Sequence, residues 1–175
     1  MKRFKSAALE AVKYERSVFS EEQGRWPDFR SGRNLYSACQ WCHGATGIGF
    51  ARIGMRDTDD HSVISGEIEI AIARTLEVPM ERLDHLCCGN FGRLDFLFSA
   101  GCFLGDESLV GVSLRRASEI LHHVEAGRGF VWRLGSDRYN PGLFTGIAGV
   151  GYQLLRLTHP NDLPSVLLWE TNSTY

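Results

Sequence analysis

Two adjacent thiols, Cys87 and Cys88, stand in the stretch Leu86-Cys87-Cys88-Gly89-Asn90-Phe91-Gly92. Neighbouring cysteines do not close a relaxed disulfide with each other, because vicinal geometry strains the bond. A second stretch of the same build lies upstream, Trp41-Cys42-His43-Gly44-Ala45-Thr46-Gly47-Ile48-Gly49. Cys42, Cys87 and Cys88 together offer three thiolates, a soft donor set that suits zinc. The same residues also read as small apolar core positions, since free cysteine packs well in interiors. Geometry decides between the two readings.

The thiols must be positioned by regular elements. Apolar residues at helical spacing predict amphipathic helices over 3–19, 61–76 and 107–125, with Asp106 as N-cap of the last. Residues 48–55, 91–104 and 143–157 are apolar on most sides and read as buried helices. Between them, 57–60 reads as an acidic turn, 130–134 as extended or loop, and Asn140-Pro141-Gly142 as a turn. The connection over 20–37 is long and polar. Connections of that length often lie near functional sites, although Trp26 would equally serve to staple the loop to the core. The apolar tail 166–169 is expected to dock as an extended segment.

The buried helices share an opening. Cys42-His43-Gly44-x-x-Gly47 aligns with Cys87-Cys88-Gly89-x-x-Gly92 and with Phe144-Thr145-Gly146-x-x-Gly149, at offsets of 45 and 57 residues. In the first two copies a more amphipathic helix follows the buried one. Periods near this length mark arrays of helix pairs. The helix that is apolar all round must lie inside and the amphipathic one outside, facing water. Glycines at the start of each inner helix permit close backbone approach. The fold class expected is all-α.

Composition narrows the function classes. A chain of 175 residues suffices for one domain with its own core, and 43% apolar with 23% charged residues is a soluble globular balance. A formal charge of -2 gives no reason to expect a nucleic-acid partner. Five cysteines is an odd count. With no signal peptide at the start, it points to a reducing, cytoplasmic setting. No apolar run approaches the roughly 20 residues that span a bilayer, so no membrane partner is expected.

The motifs W-C-H-G-A-T-G-I-G, L-C-C-G-N-x-G and N-P-G-L-F-T-G-I-A-G-V-G-Y-Q-L-L-R-L resemble the LanC-like cyclase region of class II lanthipeptide synthetases, the LanM enzymes. The upstream A-L-E-A-V-K-Y-E-R-S and W-P-D-F-R, and the closing P-S-V-L-L, are similar to the same region, so the resemblance covers nearly the whole chain. It implies an α/α toroid with a zinc ion at one end, of which this chain would supply about three helical hairpins. It further implies lanthionine ring formation on a precursor peptide, in which a zinc-activated cysteine thiol adds to dehydroalanine or dehydrobutyrine. By motif the ligands are Cys42, Cys87 and Cys88. Many relatives carry histidine at the position of Cys88, and a subgroup carries three cysteines as here. The fourth position must stay open for the substrate thiol.

Two departures accompany the resemblance. The family's toroid contains more hairpins than are legible here, including those that carry its catalytic His and Asp, and the dehydratase region has no counterpart. The expectation is that residues 1–175 form one fragment of a LanC-like cyclase domain, the C-terminal part of a synthetase. The missing N-terminal portion of a split synthetase would then be a partner. The alternative is a truncated, non-catalytic zinc-binding scaffold or peptide-binding remnant. His43 is a candidate either as general acid to the enolate or as hydrogen-bond donor to a zinc-bound thiolate. Spacing alone would let Cys39 form a C-x-x-C pair with Cys42, but the resemblance makes Cys39 a packing residue. Cys102 is expected in the core, and His61, His122 and His123 in solvent. Arg93 and Asp95 would line the cavity or form an ion pair, and Asn90 would hydrogen-bond the backbone of the site.

Overall fold

The computed structural model describes residues 2–30, 39–55, 61–80, 83–132 and 139–170. The acidic turn at 57–60 lies outside the described residues. The chain divides into two compact units, Met1–Ala38 and Cys39–Tyr175.

In the first unit, helix α1 (Lys2–Ser17) ends two residues earlier than its periodicity predicts. A tight turn stops it: Ser20 and Arg25 exchange backbone hydrogen bonds of 3.0 and 3.3 Å. Trp26 is buried and packs on Phe19 with ring centroids 4.8 Å apart, so the indole fastens this turn.

The second unit contains helices α2 (Ala45–Ile53), α3 (His61–Glu77), α4 (Asn90–Leu104), α5 (Glu107–His123) and α6 (Ile147–Thr158), with a π-helical turn over Val124–Arg128. Helix α2 pairs with α3 and α4 with α5, while α4 also touches α2, α3 and α6. Every residue of α4 from Asn90 to Gly101 is buried, which is why its sequence is apolar all round rather than striped. Helix α5 keeps one wet face and begins at Asp106, whose carboxylate accepts from the N–H groups of Ser108 (2.9 Å) and Leu109 (3.1 Å). His122 and His123 at its end are exposed. Among the described residues the architecture is all-helical, two hairpins and helix α6, the arrangement of part of an α/α toroid. Helix α6 departs from the buried helix expected, since it covers only one face and leaves Leu155 57% exposed. No helix among the described residues is long and apolar enough to cross a membrane.

The repeat is physical. Each of the helices α2, α4 and α6 starts immediately after the first glycine of its motif, at Ala45, Asn90 and Ile147. At the second glycine, an added Cβ would lie 2.0 Å from the Trp41 carbonyl oxygen for Gly47 and 1.9 Å from that of Leu86 for Gly92. For Gly149 it would lie 1.8 Å from that of Leu143. Only glycine lets the helix back onto the preceding loop this closely. The third helix therefore begins at Ile147 and not at Leu143, because Leu143 to Gly146 forms the same loop as Leu86 to Gly89.

Three further expectations are corrected. Cys102 is exposed, since it lies in the last turn of α4 where that helix emerges into water. Arg93 and Asp95 do not pair with each other, because residues two apart on a helix point to different faces. Arg93 instead donates to the carbonyls of Pro79 (2.8 Å), Thr75 (3.1 Å) and Val78, closing the C-terminal end of α3. Asp95 lies 2.7 Å from Arg156 and accepts from Gln153 (3.1 Å) and Ser165 (2.7 Å), which binds α4 to α6 and to the tail. Burial pushes its carboxyl above the usual range, while Arg156, Ser165 and Gln153 pull it back. The tail itself is a turn: Leu167 is buried, but Trp169 is 73% exposed.

Candidate metal centre

The loops that precede α2 and α4 carry the three thiols, and backbone hydrogen bonds stitch them together. The Cys42 N–H donates to the Cys87 carbonyl at 3.4 Å, and the Cys87 N–H donates to the Phe144 carbonyl at 2.8 Å. Buried Asp84 fixes the second loop by accepting from Asn90 (3.0 Å), Arg128 (3.0 Å) and the Val131 N–H (2.9 Å). The Asn90 side chain thus supports the site through the Asp84 carboxylate, while its N–H donates to the Leu83 carbonyl at 2.9 Å. His85 Nδ1 accepts the Cys88 N–H at 3.2 Å. Burial holds the His85 imidazole below its usual pKa against the opposing pull of Asp84, which fits its role as an acceptor.

This support brings Cys42, Cys87 and Cys88 together, with all three sulfurs within 4.8 Å of one another. Cys88 Sγ is 3.2 Å from Cys42 Sγ and 3.4 Å from Cys87 Sγ. Tetrahedral thiolate sites with Zn–S of about 2.3 Å need sulfur edges of about 3.8 Å, a small outward adjustment from this cluster. Burial and then the neighbouring sulfurs push the Cys88 thiol up, and burial likewise pushes Cys87 up. Three crowded thiols without a cation resist ionising together; a cation among them reverses that cost. The donor set fits zinc.

His43 Nδ1 lies 3.0 Å from Cys42 Sγ, within reach of donating to that sulfur. Cys42 is exposed while Cys87 and Cys88 are half-buried, so the cluster is open on the Cys42 side. That side faces a groove of about 600 Å³ lined by Cys42, Phe50, Met55, Leu167 and Trp169 together with Trp41. Trp41 stacks on Phe144, with centroids 5.3 Å apart and planes 7° from parallel, and its indole N–H donates to the Leu167 carbonyl at 3.2 Å. Cys39 stays out of the cluster, buried with its sulfur 3.6 Å from the Thr46 hydroxyl and 3.7 Å from that of Thr75.

Asp84, His85, Phe144 and Trp169 were not singled out by the sequence. For Phe144 a signal existed, since the repeat alignment places it at the position of Cys42 and Cys87. For Asp84 and His85 there was only polarity beside an apolar-thiol stretch.

A family model for lanthionine synthetase C-like proteins matches residues 1–168. A lacticin 481/lactococcin biosynthesis protein of Lactococcus lactis subsp. lactis is 28% identical over 159 residues, covering 82% of this chain. The chain spans 17% of that relative's length.

Proposed function

The chain belongs to the lanthionine synthetase C-like family, and from that premise we propose that it is the zinc-bearing part of a cyclase that closes thioether rings in lanthipeptide biosynthesis. The observation that carries the reading is the convergence of Cys42, Cys87 and Cys88, delivered by two copies of one repeat to within 4.8 Å. These three residues would hold the ion. When bound, zinc supplies the Lewis acidity that keeps a substrate thiol ionised near neutral pH.

The open Cys42 side admits the substrate, a precursor peptide whose dehydrated residues are dehydroalanine or dehydrobutyrine. The peptide's cysteine thiol gives up its proton and the sulfur adds to the β-carbon: a C–S bond forms as the Cα=Cβ π bond opens, and a proton ends on the α-carbon. His43 is placed to donate to the Cys42 sulfur, which suits it to holding a ligand rather than to finishing the addition. Residues 1–175 then act as one piece of a cytoplasmic cyclase domain, completed by further helical repeats supplied by the same or a partner chain.

Elemental analysis of the purified protein tests the metal, and mass spectrometry tests the chemistry. A dehydrated precursor peptide is incubated with the protein, alkylated at its remaining thiols and weighed. Zinc-dependent loss of alkylatable thiols supports ring closure. Bound zinc with no loss of thiols favours the non-catalytic scaffold, and a protein free of zinc overturns both.

A further inference from the structure

We propose that Trp169 is a specificity-determining platform, which receives an apolar or aromatic side chain flanking the cysteine of the peptide substrate. The inference rests on the metal reading above and adds to it what the site selects. Among the described residues Trp169 alone, apart from glycines, has a positive φ, at 56°. A bulky side chain in that region is an outlier that the surrounding structure must impose. The surroundings do impose it. The Glu170 N–H donates to the Ser165 carbonyl (3.2 Å), and the Glu170 carboxylate accepts the Ser165 N–H (3.0 Å). The Ser165 hydroxyl accepts from the Leu168 N–H (3.2 Å) and donates to buried Asp95 (2.7 Å).

This scaffolding does not bury the indole it fixes. Trp169 remains 73% exposed, while its ring centroid lies 6.5 Å from Trp41 and 6.3 Å from Phe144. A core residue would be covered, whereas an exposed tryptophan in an aromatic set is the usual form of a binding hot spot. The groove that Trp169 walls also contains Cys42, so a peptide presenting its thiol to the cluster lays an adjacent side chain along this wall. Among the described residues none that lines the groove is charged, and its volume of about 600 Å³ leaves room for a side chain beside the cysteine. The occupant that matches is apolar.

The test uses protein loaded with cobalt(II), whose thiolate absorption bands report ligands at the metal. Two capped tripeptides are titrated, with cysteine between two phenylalanines or between two serines. The phenylalanine peptide should bind roughly tenfold more tightly, the scale of a stacked aromatic contact. In Trp169→Gly, whose residue adopts φ near 56° without strain, the preference should fall to about twofold or less, and Trp169→Phe should restore most of it. Bands that respond to neither peptide, or equally to both, overturn the inference while leaving the metal centre standing. So does a preference that survives in Trp169→Gly. Absence of the thiolate bands overturns the metal reading itself, and this inference with it.

Discussion

The backbone N–H of Cys87 donates to the carbonyl of Phe144 at 2.8 Å, and Cys42 repeats the step to the carbonyl of Cys87 at 3.4 Å. Equivalent positions of three repeat copies thus form one chain of hydrogen bonds. The first two copies contribute sulfur at this position. The third contributes an aromatic ring, which stacks on Trp41 beside the cluster. One architectural motif therefore supplies thiols twice and an aromatic support once.

That architecture depends on the glycine contacts. In Gly92→Ala the new Cβ would meet the Leu86 carbonyl at 1.9 Å, and backbone cannot rotate away as a side chain can. We expect a loss of about 2–3 kcal/mol or more in urea unfolding, with weakened metal binding, because the same loop carries Cys87 and Cys88. Gly66, inside α3, has nothing within 4 Å of an added Cβ. Gly66→Ala should instead stabilise by about 0.5–1 kcal/mol through helix propensity.

Metal content should follow the sulfur geometry and not the cysteine count. One zinc per chain is expected, with Cys87→Ala, Cys88→Ala or Cys42→Ala each reducing it severely. Cys102→Ala, at an exposed position away from the cluster, should leave it unchanged. Full zinc content in Cys87→Ala would remove the assignment.

Asp95 holds the tail and α6 to the central helix, and it is fully buried against Arg156. Asp95→Ala leaves that guanidinium without its carboxylate, a change that typically costs about 3–5 kcal/mol. The double variant Asp95→Leu/Arg156→Leu removes both charges and should recover a large part of this. Tryptophan emission gives a local check. Asp95→Ala should shift it at denaturant concentrations below global unfolding, because Ser165 then releases the turn that carries Trp169.

The sequence made the helices legible where one side of each is wet. Helices α3 and α5 alternate between covered and solvated faces, so periodicity located them within about two residues. Periodicity places the start of α6 at Leu143, because Leu143 and Phe144 continue its apolar run and an apolar loop has the same pattern as an apolar turn of helix. The repeat register, which sets Gly146 against Gly89, contained the answer. The three thiols were visible from residue type and motif. Their supports were not, because Asp84 meets Arg128 and Val131 only after the chain has passed through α4 and α5. Nothing local marks such partners. An apolar tail predicts docking of Trp169; its exposure follows from a backbone path set by Ser165 and Asp95.

The cap at Asp106 predicts a pH dependence. Hydrogen bonds from Ser108 and Leu109 hold this carboxyl below its usual pKa. A depressed acid contributes stability that is complete above its unfolded pKa, about 3.9, and is lost as pH falls through the folded value. Asp106→Ala should therefore lower Tm at pH 7, and the gap to the unaltered protein should narrow as the pH drops below about 4.

His43 allows the two roles open to it to be separated. Its Nδ1 is 3.0 Å from the Cys42 sulfur, so a hydrogen on that nitrogen would stabilise Cys42 as a thiolate and fix its direction. Removing such a partner typically costs about 10–100-fold in metal affinity. A residue that only delivered a proton to the product would leave affinity intact and cost about 100–10,000-fold in rate. The geometry favours the first. We expect His43→Ala to weaken zinc binding in competition with a chelator, and His43→Gln, whose amide can donate along the same direction, to recover part of the loss. Unchanged affinity in His43→Ala, combined with a collapsed rate of thiol consumption, would assign His43 to proton delivery instead.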